Sequence, residues 1–299
     1  LAEGGMTGIP MNPSHGPLSA HKDWLDMIHA VGIPQLLIDL QGPELRIGTL
    51  TQPLVLEPGQ SLRLGQGGVP SPAALVPAAR PGQNLLLDDG RLLVQVAGAD
   101  GAALQCTVVR GGTLQSRKSL AAPGLAVASP TLTEADLQNL QLAGACGVTG
   151  VMLPFVRGAE DIRTLRQALE QAGAGQIRIF AKIENLAGVQ ALPEFLPLVD
   201  EVVIARGDLG NAMPLWELPR CQKQLSAVCR SAGVPFMVVT QMLYSMCSRA
   251  VPTRAEVSDI YNAVSDGASS VMLTGETAAG QYPVEAMEYL VRTARTALE

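Results

Sequence analysis

The chain has 299 residues, of which 47% are hydrophobic and 16% charged, and its formal net charge at pH 7 is -6. This size and composition are typical of a globular protein with one large hydrophobic core and room for a second, smaller one. The acidic balance argues against nonspecific nucleic-acid binding, which needs a basic surface, and the longest apolar runs are far shorter than the ~20 residues that a membrane-spanning helix needs.

The N-terminal part of the chain is predicted to contain two strands with a helix between them. Residues 6–12 form the first candidate strand, which Pro10 weakens because proline cannot donate a hydrogen bond to a neighbouring strand. The helix that follows is expected to end near Gly32, and residues 35–39 form the second strand. The apolar side of the helix is predicted to comprise Leu18, Trp24, Leu25 and Ile28.

Between residues 48 and 124 the hydrophobic pattern changes to short alternating runs separated by turn residues, which is typical of β-structure. The turns Asp88-Asp89-Gly90 and Ala99-Asp100-Gly101 suit hairpins, because glycine takes positive φ at little cost. Residues 65–81 are rich in Gly, Pro and Ala and are predicted to form an irregular loop. We therefore expect an inserted β-domain in this segment.

After residue 124 the chain alternates between predicted strands and helices in units of about 25 to 35 residues, which favours a parallel βα barrel. Two helices begin with the signature of a capping box, in which Thr133 pairs with Asp136 and Thr253 pairs with Glu256. The predicted strands are residues 150–153, 177–182, 202–205, 235–240 and 270–273.

Charged residues follow two of these buried strands, at the end of a parallel barrel where ligands bind. Lys182 and Glu184 are two residues apart, so on an extended chain their side chains point to the same side. Asp208 follows the next strand, and its carboxylate together with that of Glu184 offers the hard oxygens that Mg²⁺ prefers. The alternative interpretation of the same spacing is a buried Lys182–Glu184 ion pair with only a structural role.

Five runs of residues resemble the barrel of the pyruvate kinase family, in the family's order and at its spacings. They are Lys182-Ile183-Glu184-Asn185, Ala205-Arg206-Gly207-Asp208-Leu209-Gly210, Thr240-Gln241-Met242 with Ser245-Met246, Pro252-Thr253-Arg254-Ala255-Glu256, and Met272-Leu273-Thr274-Gly275-Glu276-Thr277. The resemblance continues upstream through residues 39–46 and 12–16, so it covers nearly the whole chain.

The resemblance implies an α/β fold, namely a TIM-type (β/α)8 barrel whose first strand is missing, with an inserted small all-β barrel domain. The expected domains are the barrel in two parts, residues 1–47 and 125–299, and the insert at residues 48–124. The C-terminal regulatory domain of the family is expected to be absent. Seven strands would leave unpaired backbone groups beside residues 6–12, so either the seven close, a partner covers the edge, or the sequence is part of a longer protein.

The reaction that the resemblance implies is phosphoryl transfer from phosphoenolpyruvate to ADP, which gives pyruvate and ATP in glycolysis and relies mostly on positioning and charge neutralisation. The positions that match the family's catalytic residues are Lys182, Thr240 and Thr274. The positions that match substrate-binding residues are Lys182, Ala205, Arg206, Gly207, Asp208 and Thr240. Residues 205–208 are expected to offer backbone N–H groups to the substrate carboxylate.

The resemblance implies two cations, Mg²⁺ (or Mn²⁺) and K⁺. The matching ligands are Glu184 and Asp208 for Mg²⁺, and Asn12, Ser14 and Asp39 for K⁺. Glu44 matches an acidic residue found in potassium-dependent members. His15 and Arg46 match the nucleotide side, where a helix cap and a solvated surface charge are the alternative interpretations.

The sequence also departs from the family pattern, mainly on the nucleotide side. Pro10 occupies the position of an arginine that bridges the transferring phosphoryl group and the nucleotide, and Leu40 and Gln41 replace a Thr-Lys pair beside the cation site. Three functions therefore remain open: an impaired pyruvate kinase, a metal-dependent aldolase or decarboxylase acting on pyruvate or another 2-oxo acid, and a catalytically inactive homologue. Calorimetric binding of ADP with Mg²⁺ distinguishes the kinase from the other two.

The cysteines indicate the compartment. Five cysteines are an odd number, and they lack the spacing of a zinc site, which fits a reducing cytoplasm. We therefore expect a cytoplasmic protein. The partners that the resemblance implies are phosphoenolpyruvate or pyruvate and ADP or ATP, and neither nucleic acid nor a membrane is expected among the partners. The resemblance also allows a homo-oligomer.

Overall fold

The computed structural model describes residues 1–13, 16–125, 127 and 129–299. These residues form two compact units. The first unit comprises Leu1–Gly42, Thr131–Leu209 and Glu217–Glu299, and the second comprises Pro43–Pro130 and Gly210–Trp216. The predicted domain bounds at residues 48 and 124 stay a prediction.

A sheet of seven parallel strands runs through the described part of the first unit. Numbered along the whole chain, these strands are β1 (Gly8–Met11), β2 (Gln35–Asp39), β10 (Gly150–Leu153), β11 (Arg178–Ile183), β12 (Glu201–Ala205), β13 (Phe236–Val239) and β14 (Ser270–Met272). They pair in this order, each parallel to the next. Most are short apolar runs, as expected for strands that are covered on both faces. The predicted TIM-like α/β fold is confirmed, and β1 is shorter than residues 6–12.

Helices alternate with these strands. They are α1 (Lys22–Val31), α3 (Glu134–Ala143), α4 (Ala159–Gln171), α5 (Leu186–Phe195), α6 (Arg206–Ala212), α7 (Leu218–Ala232), α8 (Arg254–Ser265), α9 (Gly275–Ala278) and α10 (Pro283–Thr296). Those between two strands provide the crossovers that parallel strands need, whereas α9 and α10 follow the last strand. Both predicted capping boxes are confirmed, at the starts of α3 and α8. Helix α1 ends at Val31 and is capped by Gly32, whose φ of 72° is the left-handed conformation that glycine adopts readily.

The inward face of the sheet carries an apolar core beneath the ends of the strands. Its buried members include Leu37, Met152, Phe180, Val203, Met237 and Val239. Phe180 and Lys182 are two residues apart on β11, so their side chains share a face. The core therefore supports the strand ends that carry the charged residues.

The second unit consists mainly of antiparallel strands. They are β3 (Leu54–Leu56), β4 (Ser61–Gly65), β5 (Asn84–Leu87), β6 (Leu92–Asp100), β7 (Ala103–Arg110), β8 (Gly112–Leu114) and β9 (Leu120–Ala121). They form one five-stranded and one two-stranded sheet. The turn between β5 and β6 places Asp88, Asp89 and Gly90 at positive φ, as its sequence predicts. A short helix, α2 (Leu75–Ala78), interrupts the loop that was predicted for residues 65–81, and Leu75 is buried.

Both tryptophans lie on the surface, one in each unit. Trp24 is 60% exposed and Trp216 is 83% exposed. The prediction that Trp24 lies on the apolar side of α1 is therefore wrong, because the buried residues of that helix are Leu25 and Ile28. Within the described ranges, no helix combines the length and apolar character needed to cross a bilayer.

Candidate active site

One lysine joins two acidic side chains at the carboxyl ends of the strands. Lys182 Nζ lies 3.0 Å from Asp39 Oδ1 and 3.3 Å from Asp39 Oδ2, and 3.0 Å from Glu184 Oε1. The Lys182 side chain is 14% exposed and that of Glu184 is 2% exposed. Asp39 ends β2, whereas Lys182 lies near the end of β11, and β10 separates these strands. We call Asp39, Lys182 and Glu184 the charged triad.

The backbone of Phe155 holds the second oxygen of Glu184. The Phe155 N–H donates to Glu184 Oε2 at 2.9 Å. Phe155 has a φ of 53°, and a bulky residue in this region is strained by about 1–3 kcal/mol. Such a conformation persists only where the surroundings enforce it, so both carboxylate oxygens of Glu184 are fixed in place.

Burial and the neighbouring charges, including that of Asp208, shift the pKa values of Glu184 and Lys182. Burial raises the pKa of Glu184 to about 7; Lys182 opposes this shift, and the negative charges of Asp208 and Asp39 add to it. Burial alone would lower the pKa of Lys182, but the negative charges of Glu184 and Asp39 outweigh it and raise that pKa above its ordinary value. The lysine is therefore held in its charged form while acidic charge accumulates around it.

The composition of this cluster fits a divalent cation. When ionised, Asp39, Glu184 and Asp208 carry three negative charges against one positive charge on Lys182, and carboxylate oxygens suit Mg²⁺. In the part of the chain that the structure describes, no group of three His, Cys, Asp or Glu residues is arranged to hold a metal. A Mg²⁺ ion here would therefore take one or two carboxylates and complete its shell with water and substrate oxygens, as is usual for this ion.

A strained turn follows β13 and carries Thr240. Thr240 and Gln241 have φ values of 72° and 54°, and a left-handed β-branched residue is a clear outlier. Thr240 Oγ1 donates to the Val239 carbonyl oxygen at 2.5 Å and accepts the Gly207 N–H at 2.9 Å. The turn thus joins the predicted catalytic hydroxyl to the backbone of residues 205–208.

The Arg206 side chain donates hydrogen bonds to the backbone of this turn. Its Nη2 donates to the Thr240 carbonyl at 2.7 Å, its Nε to the Val239 carbonyl at 3.3 Å, and its Nη1 to both carboxylate oxygens of Asp259 at 2.8 and 2.6 Å. Arg206 is mostly buried, with 12% of its side chain exposed. Its guanidinium is therefore committed to protein groups, so a substrate contact from this residue would come from its backbone.

Thr274 lies in a second loop, which a buried carboxylate fixes. Glu276 is fully buried and accepts the Thr274 N–H at 2.8 Å and the Leu243 N–H at 3.1 Å. The Thr274 hydroxyl also donates to Glu276, at 3.3 Å. Glu276 therefore connects the loop after β14 to the turn after β13.

The remaining predicted site residues are Asn12, Ser14, His15, Glu44 and Arg46. Ser14 and His15 lie outside the described residues. Asn12 directly follows β1, whose last pair with β2 is Met11 with Ile38, so it lies at the level of Asp39 in the strand register. In the second unit, Arg46 Nε donates to Glu44 at 2.8 Å and its Nη1 donates to the Arg117 carbonyl at 2.9 Å. The cation-binding and nucleotide-binding roles of these residues stay predictions.

Three residues that shape the site were not proposed from the sequence. Phe155 acts through its backbone, for which the sequence carries no signal. Asp259 lies in the middle of α8 as an ordinary polar helix residue. Glu276 belongs to a run that was recognised, Met272 to Thr277, and its position beside Thr274 was the available signal.

Comparison with known proteins identifies the family. A family model described as pyruvate kinase, barrel domain, matches residues 1–287. The chain belongs to the pyruvate kinase family. It is 38% identical to the pyruvate kinase of Chlamydia pneumoniae over 97% of this chain and 63% of that protein. It is 36% identical to the pyruvate kinase of Mycobacterium intracellulare, over 98% of this chain and 65% of that protein. It is also 36% identical to plastidial pyruvate kinase 2 of Arabidopsis thaliana, over 96% of this chain and 52% of that protein.

The present chain spans between about half and two thirds of the length of these pyruvate kinases. Membership of the pyruvate kinase family agrees with the fold and with the sequence motifs that meet at the carboxyl ends of the strands. The family as a whole depends on metal ions, which fits the acidic cluster around Lys182.

Proposed function

We propose that this chain carries the catalytic site of a pyruvate kinase, which transfers the phosphoryl group of phosphoenolpyruvate to ADP. The observation that carries the proposal is the charged triad, in which Lys182 Nζ lies 3.0 Å from both Asp39 and Glu184 at the carboxyl ends of the strands. A buried, permanently charged lysine surrounded by excess acid suits a reaction in which negative charge moves between oxygens.

Each residue has a task in this proposal. Lys182 neutralises charge on the transferring phosphoryl group and on the enolate oxygen. Glu184 and Asp208 hold Mg²⁺, which supplies charge neutralisation for the phosphoryl group and the enolate. The Thr240 hydroxyl lies beside the methylene carbon of the substrate, and Thr274 completes the wall of the site.

The backbone of residues 205–208 is proposed to bind the substrate carboxylate. The Gly207 N–H already donates to Thr240 Oγ1 at 2.9 Å. A carboxylate that takes this donor would free a lone pair of Thr240 Oγ1 on the substrate side, while the hydroxyl keeps its own hydrogen bond to the Val239 carbonyl oxygen. Substrate binding and orientation of Thr240 are thereby linked in one contact.

We also propose a K⁺ site from Asn12, Ser14 and Asp39, and a nucleotide side that includes His15 and Arg46. Mn²⁺ is proposed as a substitute for Mg²⁺. A cytoplasmic location is supported by five cysteines that all remain free thiols. A homo-oligomer stays part of the proposal, to be tested by native mass measurement.

Phosphoryl transfer is proposed to be weak because of Pro10. This residue lies within β1, opposite Leu37 of β2, and offers neither a charged side chain nor an N–H donor. Loss of one transition-state donor costs about 10²- to 10³-fold in rate by analogy with oxyanion holes. The enolate half of the reaction should suffer less, which keeps a metal-dependent enzyme acting on pyruvate or a related 2-oxo acid as the second candidate.

The experiment measures two reactions on the same preparation, with Mg²⁺ and K⁺ present. We expect exchange of the pyruvate methyl protons with solvent together with slow ATP formation, and we expect Pro10→Arg to raise only ATP formation. Exchange without any binding of ADP, measured by calorimetry, would favour the second candidate. Absence of both reactions under every cation condition would leave a catalytically inactive homologue and overturn the proposal.

A further inference from the structure

The Thr240 turn needs an external support. Two consecutive non-glycine residues, Thr240 and Gln241, hold left-handed backbone conformations, and such conformations persist only where neighbouring groups over-determine them. The carbonyl oxygen of Thr240 has its hydrogen bond from Arg206 Nη2 at 2.7 Å, and Nη2 also lies 2.8 Å from the sulfur of Met242. One guanidinium group therefore contacts the residues on both sides of Gln241, namely Thr240 and Met242.

The guanidinium group is itself oriented by an acid on a different element. Asp259, on α8, accepts from Arg206 Nη1 with both oxygens, at 2.8 and 2.6 Å. Without this partner, Arg206 would keep its described hydrogen bonds to the Val239 and Thr240 carbonyls and to Met242 Sδ. It would lose the carboxylate that offsets its buried charge, so its orientation would be less constrained. A planar guanidinium whose Nη1 is held by a carboxylate presents its other donors in a defined direction.

We propose that Asp259 is a positioning residue for the reaction: acting through Arg206, it fixes the turn that aims the Thr240 hydroxyl. This inference rests on the proposed function, because Thr240 must act beside the substrate for its aim to matter. Asp259 itself touches neither the charged triad nor Thr240 among the contacts described, so its effect passes through Arg206 alone.

The residue that follows the same helix provides a control. Asp266, which follows the last turn of α8, accepts from Lys223 Nζ with both oxygens at 2.8 Å. This ion pair has the same bidentate form as that of Asp259, but Lys223 contacts no residue of the Thr240 turn in the described hydrogen bonds. Asp266→Asn therefore removes an ion pair of the same form, with a more exposed cation, from the end of the same helix without touching Arg206.

The test compares Asp259→Asn with Asp266→Asn in the exchange of pyruvate methyl protons. We expect Asp259→Asn to lower the maximal exchange rate by about 10- to 100-fold, as small misplacements of a catalytic group do, with half-saturation by pyruvate changed by less than about threefold. Asp259→Glu should restore most of the rate, and Asp266→Asn should remain within about twofold of the native chain.

A double-mutant cycle separates positioning from general stability. If Asp259 acts through the Thr240 hydroxyl, Asp259→Asn should cause no further loss in a chain that already carries Thr240→Ala. Losses that simply multiply in the double variant would overturn the proposal, as would equal losses in Asp259→Asn and Asp266→Asn.

A measurement that needs no activity distinguishes this inference from the proposed function. Hydrogen–deuterium exchange of the peptide that spans residues 239–243 should become faster in Asp259→Asn and stay unchanged in Asp266→Asn. If the native chain catalyses neither reaction, the proposed function fails. Faster amide exchange in Asp259→Asn, but not in Asp266→Asn, would still show that Asp259 stabilises the turn. Unchanged exchange in Asp259→Asn overturns it.

Discussion

The two ends of the parallel sheet both bury charge, but they balance it differently. At the amino end, Glu201 accepts from the Ser269 and Ser270 hydroxyls at 3.1 and 2.5 Å and lies 3.4 Å from Arg178 Nη2. One acid there meets one base and two neutral donors. At the carboxyl end, Lys182 is shared by Asp39 and Glu184, and the charge of Asp208 adds to theirs.

The difference in charge balance indicates which end of the sheet suits a ligand. The amino-end cluster is complete in itself and needs no further ion. The carboxyl end carries an excess of negative charge that a cation would relieve, and repulsion between such groups is stronger inside a protein than in water. The arrangement matches the general division of barrels into an active end and a stabilising end.

The largest expected effect comes from removing the base at each end in turn. Lys182 and Arg178 lie on the same strand, β11, four residues apart. Lys182→Met should lower pyruvate methyl exchange and phosphoryl transfer by about 10²- to 10³-fold or more, because the charge that offsets the developing oxyanion is lost. Arg178→Met should leave both rates within about twofold. Equal losses of activity in the two variants would remove the distinction between the ends.

The pH dependence of stability should also separate the two ends. Because the pKa of Glu184 is raised from an ordinary 4.5 to about 7, the folded chain binds more protons than the unfolded chain between these values. The free energy of unfolding contributed by Glu184 is thus greatest below pH 4.5 and falls as the pH rises through 7, by about 3 kcal/mol in all.

Denaturant unfolding of the native chain and of Glu184→Gln, without divalent cations, measures this contribution. The difference in stability between the two should shift in favour of Glu184→Gln as the pH rises. Glu201→Gln is the matched control from the amino end. A difference between the native chain and Glu184→Gln that is constant from pH 4.5 to 8 would contradict the raised pKa.

Binding of Mg²⁺ with oxalate, an enolate mimic, should stabilise the native chain through the carboxyl end only. A ligand at 100 times its dissociation constant contributes about 2.7 kcal/mol to the free energy of unfolding, which calorimetry detects as a rise in the melting temperature. Glu184→Ala should lose this rise, and Glu201→Gln should keep it. The magnesium site is elsewhere if Glu184→Ala responds as the native chain does.

The smallest effect is expected at the amino end. Ser270→Ala removes one of the two hydroxyls that donate to Glu201, and Ser269 with Arg178 still partners the acid. The loss should be about 1 kcal/mol in the free energy of unfolding, with unchanged kinetics. Reduced turnover in Ser270→Ala would show that the amino end is coupled to the chemistry.

Local patterns in the sequence were sufficient for most of the fold. The strand β10 was predicted with its observed bounds. The capping boxes at Thr133 and Thr253 were predicted because, in each, the acidic partner lies three residues after the threonine. Trp24 was misplaced because the helical period tolerates it beside the buried positions Leu25 and Ile28, and only packing decides which side is covered.

The site was predictable only in part, for a different reason. The motifs located Lys182 and Glu184, but the contact from Lys182 to Asp39 joins residues 143 positions apart. The family resemblance assigned Asp39 as a potassium ligand, and its ion pair with the lysine was not foreseen. The Arg206–Asp259 pair, 53 positions apart, was likewise beyond any local pattern.

The exposure of the two tryptophans decides how this protein can be observed by fluorescence. Since Trp24 and Trp216 are already largely in water, their emission should change little when the chain unfolds, and circular dichroism is the better optical signal. The same exposure makes each indole a local reporter. With one tryptophan in each unit, the variants Trp24→Phe and Trp216→Phe would each leave a single emitter, whose quenching by iodide reports whether anything covers that unit's surface.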